Sequence, residues 1–328
     1  MRSLITGVGG FAGSHLADIL LAQGEPGDEV WGCDLNAAPR PYLSPQVRLM
    51  AADLRDPQAA AQVIGQARPE RIYHLAGQAF VGDSWAHPWE TLETNLRAQV
   101  NLLEAVVASK ELPGILVVGS ADEYGRMANP EQPIDETPPL RPDSPYSVSK
   151  AAQDLLGLQY FLSYGLPIVR VRPFNHIGPR QNRKFVAAAF ASQIAAIEAG
   201  QQPPVMRVGN LDARRDFTDV RDTVRAYALL LERGHAGEVY NIGTGASVRI
   251  MDMLDVLLSL ARVPIRIETD PARIRLNDVP DLVCDARRLR AATGWQPRYR
   301  LEETLRDLLN YERSLCVPAV AGGVAGHA

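Results

Sequence analysis

Short apolar runs alternate with helix-patterned stretches through the first half of the chain. The runs at Arg2–Thr6, Glu29–Cys33, Val47–Ala51, Arg71–Leu75, Ile115–Gly119 and Ile168–Arg172 read as strands. The stretches between them predict helices at Phe11–Gln23, Pro57–Ala67, Trp89–Ser109 and Ser147–Tyr164. Strands separated by helices imply a parallel sheet covered on both faces. The crevice at the carboxyl ends of such strands is the default ligand site.

After about residue 175 the pattern changes. Pro173, Gly178, Pro179, Pro203 and Pro204 punctuate the chain, and the strand candidates are shorter: Val205–Val208, Val239–Ile242 and Ile265–Glu268. Helices are predicted at Val186–Ala199, Val220–Arg233, Ile250–Ala261 and Leu301–Tyr311. The apolar run Val239-Tyr240-Asn241-Ile242 reads as one more buried strand, so the chain is expected to cross back to the first lobe. The expected organisation is α/β: a large lobe of residues 1–175 plus about 219–243, a smaller α/β lobe of 176–218 and 244–311, and a flexible Gly/Ala-rich tail at 312–328. There is no internal repeat.

Composition narrows the class. The 328 residues carry a formal charge of −4 and no long Lys/Arg run, which argues against a nucleic-acid partner. With 46% hydrophobic residues, a chain of this length buries a full core without staples. Cys33, Cys284 and Cys316 are too few and too scattered for a disulfide framework or a metal-binding pair, and they point to a reducing compartment, the cytoplasm. No His/Asp/Glu cluster has metal-ligand spacing, so no metal is expected. No apolar run is long enough to predict a membrane span, and Met1-Arg2-Ser3-Leu4-Ile5-Thr6-Gly7 lacks the apolar stretch of a signal peptide.

The strongest local signal is Thr6-Gly7-Val8-Gly9-Gly10-Phe11-Ala12-Gly13, between the first strand and the first helix. Gly7 permits the tight turn, Gly10 lets backbone approach a pyrophosphate, and Gly13 allows helix and strand to pack closely. Phe11 and Ala12 open a helix whose free N–H groups and positive potential suit phosphates. The spacing is GxxGxxG rather than GxGxxG. At the first strand–helix junction it predicts a Rossmann-like, doubly wound sheet that binds a dinucleotide. Asp34 follows the second strand, 21 residues after Gly13, where an acidic residue binds the ribose of NAD and repels the 2′-phosphate of NADP. NAD(H) is therefore the favoured cofactor, with NADP(H) as the alternative because Arg40 stands nearby.

Tyr146-Ser147-Val148-Ser149-Lys150 puts Tyr146 and Lys150 on one helix face. A nearby ammonium stabilises phenolate and lowers the tyrosine pKa from about 10. Such a tyrosine passes a proton to or from a sugar oxygen near neutral pH. Together with the nucleotide-binding start and Ser120 at a strand end, this arrangement resembles the extended short-chain dehydrogenase/reductase family, whose triad is Ser/Thr, Tyr and Lys. Further matches run to about residue 311. Asp53-Leu54 is similar to the family's adenine-contacting pair. His74-Leu75-Ala76-Gly77 is similar to its HLAA segment, with Gly77 replacing the last Ala, and implies that Leu75 and Ala76 line the cofactor. Asn95 matches the helix Asn that supports the active site. Arg172-Pro173-Phe174-Asn175 resembles the strand-end segment whose Asn binds a nucleotide diphosphate. The resemblance implies a nucleotide-sugar substrate.

The second half narrows the resemblance to GDP-mannose 4,6-dehydratases and the related GDP-4-keto-6-deoxymannose reductases. Val208–Phe217, Arg275–Val279 and Gly294-Trp295-Gln296-Pro297 resemble both; Asp83-Ser84-Trp85, Phe174–Pro179 and Arg215–Asp222 are closer to the reductases. By position, the resemblance implies that Asn175, Arg215 and Arg275 bind the diphosphate, where an Arg fork donates to two oxygens. It places Val186 and Asn210 by the guanine, Asp278 by a ribose hydroxyl and Ser84 by the hexose.

Gly119-Ser120-Ala121-Asp122-Glu123-Tyr124-Gly125 separates the two activities. Related hexose dehydratases carry an acid/base Glu two residues before the Tyr. Asp122 stands there, one methylene shorter, and Ala121 replaces the acidic residue of thymidine-sugar dehydratases. Glu123 is expected to point elsewhere if the local chain is extended. A shortened reach impairs dehydration, whereas the Ser–Tyr–Lys machinery is complete. The expected activity is NAD(P)H-dependent reduction of the C4 ketone of GDP-4-keto-6-deoxy-D-mannose to GDP-D-rhamnose. Tyr146 would supply the proton, Ser120 would bond the developing oxyanion and Lys150 would hold the cofactor ribose. The alternatives are a GDP-mannose 4,6-dehydratase with Asp122 as base, a 4-epimerase, a GDP-6-deoxy-D-talose product, or a non-catalytic nucleotide-sugar or redox-sensing scaffold.

Other residues carry weaker signals. His176 adjoins the expected substrate site and is as readily structural. His15 is expected to pack or cap the first helix, and His74 to be a satisfied buried residue. Glu131–Glu136 reads as a solvated loop. Arg183-Lys184 reads as a surface pair or as a cover over the nucleotide. Leu92, Leu96, Val100, Leu103 and Val107, and likewise Leu155, Leu158, Phe161 and Leu162, recur at helical spacing. The resemblance implies that these helices meet a second subunit in a four-helix bundle, making a homodimer; the plain alternative is that they only face the sheet.

Overall fold

The computed structural model describes residues 1–38, 40–125, 133–271 and 281–316. In chain order, the first elements are β1 (Arg2–Thr6), α1 (Phe11–Gln23), β2 (Glu29–Asp34), β3 (Arg48–Ala51), α2 (Pro57–Ala67), β4 (Arg71–His74), α3 (Val81–Ala86), α4 (Pro88–Leu92), α5 (Ala98–Ser109), β5 (Gly114–Val118) and α6 (Pro145–Tyr164). A π-helical turn, Glu93–Arg97, joins α4 to α5, and a 3-10 turn, Ala121–Tyr124, follows β5. Then come β6 (Ile168–Pro173), β7 (Asn175–Ile177), α7 (Val186–Glu198), β8 (Val205–Val208), β9 (Arg214–Asp219), α8 (Val220–Arg233), β10 (Val239–Ile242), β11 (Ser247–Arg249), α9 (Ile250–Ser259), β12 (Arg266–Thr269), β13 (Asp281–Leu282), α10 (Arg287–Thr293) and α11 (Leu301–Cys316).

The chain divides into two compact units. The first takes Met1–His176, Ala213–Val248 and the stretch from β13 to Tyr299; the second takes Ile177–Asp212, the stretch beginning at Arg249, and the residues from Arg300 onward. In the first unit seven strands form one parallel sheet in the order β10-β6-β5-β4-β1-β2-β3. The order reverses between β1 and β4, which opens a crevice at the carboxyl ends of these strands. Val239–Ile242 does return to this sheet, pairing with Arg170–Pro173.

Because side chains alternate across a strand, each strand feeds two cores. Ile5, Tyr73, Leu116 and Val171 face α1 and α8, against Leu16, Ala17, Val224, Tyr227 and Leu230. Leu4, Ile72, Ile115 and Val117 face α2 and α5, against Val63, Ile64, Leu102, Leu103 and Val106. This two-sided burial is why the strands read as continuous apolar runs. Leu103, expected on a dimer face, lies instead in this core. The α2 boundaries follow from capping: Asp56 accepts from the Gln58 amide at 3.0 Å, Pro57 takes the first position, and Arg68 ends the helix at φ +39°.

In the second unit β8 and β12 pair in parallel. There α7, α9 and α11 pack together through Phe190, Ile194, Met253, Leu257, Leu305 and Leu308, all buried. The tail expected to fray after Tyr311 is helical to Cys316, because the buried Glu312 is held by Arg183 (Nη2–Oε2 2.8 Å). Arg183, read as part of a surface pair or a cover over the nucleotide, is exposed and ion-paired to Glu312. Strands β7, β9, β11 and β13, helices α3 and α10 and the 3-10 turn were not among the predicted elements. β9 is the plainest instance: Arg-Arg-Asp-Phe-Thr-Asp lacks apolar alternation, and its strand is made by pairing with β13 and by burial of Asp216, Thr218 and Asp219. Among the described residues no helix is long and apolar enough to cross a membrane.

Candidate active site

The turn after β1 is shaped by close approach. Gly7 sits at φ +69°, and a Cβ there would fall 2.9 Å from the Ala76 backbone. A Cβ on Gly13 would collide with the Gly7 carbonyl. Gly10 is the N-cap of α1 and offers no side-chain cap, and the first turn, opening with Phe11 and Ala12, has no acidic residue. The backbone N–H groups and positive potential of this helix end therefore suit an anion, and the cradle fits a dinucleotide pyrophosphate. The Thr6 hydroxyl ties β1 to β4, accepting from the amides of Leu75 and Ala76 at 3.1 Å each and bonding His74 Nδ1 at 2.9 Å. His74 is fully buried, and burial followed by the Lys150 ammonium pulls its pKa down to about 3.

Asp34 ends β2 beside this loop. Its Oδ2 accepts from the Gly9 amide at 3.0 Å and lies 3.3 Å from Arg40 Nη1. Tyr42, which no sequence signal singled out, donates its hydroxyl to the Gly9 carbonyl at 2.9 Å. Asp53 pairs with Arg55 at 2.7 Å, which holds its carboxyl below the usual range, and the neighbouring Leu54 is buried. His15 packs edge-on against Phe11, and His176 stacks on Phe11 with ring centroids 5.7 Å apart.

Ser120, Tyr146 and Lys150 come together past the end of β5, each more than nine-tenths buried. Ser144 caps α6, its hydroxyl accepting from the Ser147 amide at 3.1 Å, and Pro145 takes the first helical position. That places Tyr146 and Lys150 in the first turns of α6. Ser120 is itself an N-cap, its hydroxyl accepting from the Asp122 amide at 3.1 Å. It also bonds the Tyr146 hydroxyl. Lys150 Nζ donates to the Val118 carbonyl at 2.9 Å, and burial pulls its pKa down to about 8.

The expectation that Lys150 makes Tyr146 acidic is corrected. Burial first, then the Asp122 charge, raise the phenol above its ordinary value, while the ammonium is turned to a backbone carbonyl. Asn95, in the π-helical turn, supports the site: its Oδ1 accepts from the Gln78 amide at 2.7 Å and its Nδ2 donates to Ser149 Oγ at 2.8 Å. A Cβ on Gly77 would stand 2.8 Å from Asn95 Oδ1, which accounts for glycine where the HLAA pattern has alanine.

Glu123 is also corrected. The chain is not extended here but a 3-10 turn, so the carboxylate folds back and accepts from the Ser120 amide at 2.7 Å. The spacing Ser120-x-x-Glu123 is a capping box, and that signal was present in the sequence. Glu136, expected in a solvated loop, is half-buried with its side chain turned inward, and accepts from the Asn241 amide at 2.7 Å.

The substrate residues are distributed as follows. Asn175, exposed on β7, and Arg215, partly exposed on β9, belong to the first unit; Val186 at the start of α7 and the exposed Asn210 belong to the second. Ser84 is fully buried and spends its hydroxyl on the Val81 carbonyl at 2.7 Å, so it is not presented to a hexose. Glu131, Arg275 and Asp278 lie outside the described residues.

Comparison with known proteins agrees with this geometry. A family model described as GDP-mannose 4,6 dehydratase matches residues 4–308. The chain is 36% identical to a GDP-6-deoxy-D-mannose reductase of Pseudomonas aeruginosa, over 94% of this chain and 96% of that protein. It is 32% identical to a dTDP-glucose 4,6-dehydratase of Streptomyces niveus, over 95% and 93% of the two. Among solved structures, RMD from Pseudomonas aeruginosa complexed with NADPH superposes with a TM-score of 0.83 at 34% identity, covering 96% of this chain and all of that one. A Thermus thermophilus UDP-glucose 4-epimerase complexed with NAD gives 0.84 at 31% identity, over 95% and 99%. A glycine-lined dinucleotide cradle, a Ser–Tyr–Lys cluster and matches that span nearly the whole chain lead to one conclusion: the chain belongs to the GDP-mannose 4,6-dehydratase family of nucleotide-sugar enzymes.

Proposed function

We propose that the chain is a 4-ketoreductase that converts GDP-4-keto-6-deoxy-D-mannose to GDP-D-rhamnose. The observation that carries this reading is the buried Ser120–Tyr146–Lys150 cluster, accompanied by Asp122 where a dehydratase carries a longer acid. The likeness to a GDP-6-deoxy-D-mannose reductase supports it. The glycine cradle would hold NAD(P)H, which would supply the hydride for C4. The chain supplies the proton: as the C4 carbonyl becomes an oxyanion, Tyr146 donates its hydroxyl hydrogen to that oxygen. Reduction needs the phenol protonated beforehand, and burial and Asp122 hold it so. Ser120, its lone pair engaged by the Asp122 amide, keeps its hydroxyl hydrogen for the same oxygen. Lys150 holds the cofactor ribose.

Asn175, Arg215 and Arg275 are assigned to the diphosphate, Val186 and Asn210 to the guanine, and Asp278 to a ribose hydroxyl. Asp34 favours NADH, and the Arg40 guanidinium beside it admits the 2′-phosphate of NADPH. The three unpaired cysteines fit the cytoplasm. A homodimer through α6 is proposed on Val148, Leu155 and Leu162, exposed at seven-residue spacing along that helix.

Absorbance of the reduced nicotinamide, followed with the keto sugar and either NADH or NADPH, tests the reading. The signal is expected to fall only with enzyme and sugar present. Tyr146→Phe is expected to cut turnover about 100- to 10,000-fold while cofactor affinity stays within about threefold. A flat wild-type trace overturns the proposal. A second reading, GDP-mannose 4,6-dehydratase, is favoured by the nearness of the Asp122 charge to Tyr146. Keto-sugar formation from GDP-mannose without net oxidation of NAD(P)H would establish it.

A further inference from the structure

Behind Ser120 lies a buried charged cluster that the reaction as proposed does not use. Glu123 is fully buried; its Oε1 accepts from the Ser120 amide at 2.7 Å, and its Oε2 lies 3.2 Å from Arg172 Nε. The same Arg172 Nε donates to Asp154 Oδ2 at 2.9 Å, and its Nη1 to the Tyr124 hydroxyl at 3.0 Å. Tyr124 in turn donates to Asn241 Oδ1 at 2.7 Å. Asp154 also pairs with Arg170 and stands one helical turn beyond Lys150 on α6. Gly119 leaves the room: a Cβ there would collide with Glu123 Oε1. The cluster thus spans the end of β5, the 3-10 turn, α6 and β6, and it reaches the reacting group through the Ser120 amide.

We propose that Glu123 is a positioning residue, whose carboxylate, braced by Arg172 against Asp154, fixes the Ser120 backbone and so aims the Ser120 hydroxyl at the Tyr146 side of the reacting oxygen. Every hydrogen-bonding group on Ser120 is then directed. Its amide is held by Glu123, its hydroxyl lone pair by the Asp122 amide, and the hydroxyl hydrogen is left for Tyr146 or substrate. Orientation of this kind matters because displacement of a catalytic group by about 1 Å costs on the order of 100-fold in rate. The carboxylate also acts through its charge. It faces Arg172 from β6, Asp154, Lys150 and Tyr146 from α6, and Asp122 and Tyr124 within its own turn. Burial, then the Asp154 charge, raise its own pKa to about 8, and where it is ionised its negative charge raises the pKa of both Tyr146 and Lys150. Removing the charge therefore lowers both values.

The inference rests on the ketoreductase reading only for its kinetic readouts. Wild type, Glu123→Gln and Glu123→Leu are compared as full-length proteins. The first readout is the proton shift of the Ser120 amide in 15N-serine-labelled protein with NADPH bound, which needs no sugar. The Gln variant, which keeps an acceptor oxygen, is expected to retain the downfield shift, and the Leu variant to lose it. With the keto sugar, Glu123→Leu is expected to lower kcat about 10- to 100-fold at unchanged KM. Glu123→Gln should recover most of that loss, and in both variants the alkaline limb of the rate should move to lower pH. If wild type has no reductase activity, the reductase reading fails while the amide shifts still decide this inference. Identical amide shifts in all three proteins overturn it, as does a Leu variant with wild-type kcat. Should Glu123→Leu not fold, Gly119→Ala, which dislodges the carboxylate sterically, is expected to show the same amide shift and kcat loss, and wild-type values there overturn the inference equally.

Discussion

Lys150 illustrates how one side chain is tuned by its surroundings. Burial pulls its pKa down to about 8, so its charge is lost within the working range of the enzyme. In the proposed reaction the protonated amine is the competent form, because it would donate to the cofactor ribose. The activity therefore lies on the acid side of this titration. The profile of kcat/KM for NAD(P)H, which reports the free enzyme, is expected to fall as pH rises through about 8. A profile flat to pH 10 would remove Lys150 from this role. Tyr146 and Lys150 were legible because four-residue spacing alone puts both on one helix face. Glu123 was misread because its direction depends on whether the local chain is a strand or a turn. The Ser-x-x-Glu spacing carried that information, but an extended backbone would have sent the carboxylate elsewhere. The inward turn of the Ser84 and Glu136 side chains had no sequence signal: their partners are backbone groups, one of them distant in the chain.

At the strand–helix junction the controlling quantity is the distance between α1 and β1. Gly13 lets the helix sit on the Gly7 carbonyl, which brings the α1 N-terminus to where the cofactor phosphates are proposed to bind. Gly13→Ala is expected to push the helix outward, weaken cofactor binding at least about tenfold and lower stability by about 1–3 kcal/mol. Titration of NADPH against the variant and a thermal melt check both effects, and unchanged affinity would mean that the helix end does not hold the pyrophosphate. Several elements were legible to the residue: α1, α2, α8, β8 and β10 occupy the predicted spans. The predicted helix at Trp89–Ser109 is interrupted by a π-helical turn that aims Asn95 inward, something periodicity cannot report. α11 outran its predicted end because Glu312 finds Arg183, a partner 129 residues away.

Among the described residues, α6 exposes an apolar face. Val148, Leu155 and Leu162 line up on α6, with Trp85 and Trp89 also exposed on the preceding α3 and α4. Apolar side chains in that alignment are expected to pack against a second copy. Sedimentation should give twice the chain mass for wild type and one chain mass for Leu155→Glu/Leu162→Glu, and a wild-type monomer would sink the dimer. The resemblance assigned both helices to this face, but α5 divides otherwise, sending Leu103 into the core. The sequence alone established the alternation of strands and helices, the glycine cradle, the Tyr–Lys helix and the long match to nucleotide-sugar enzymes. All of these depend on residues close together in the chain, where spacing dictates geometry. Only the tertiary structure decided which way Glu123 turns, which leucines of α5 are buried and that β9 is a strand. Each of those outcomes is set by dielectric, packing and partners that arrive from far along the chain, and spacing carries no record of them.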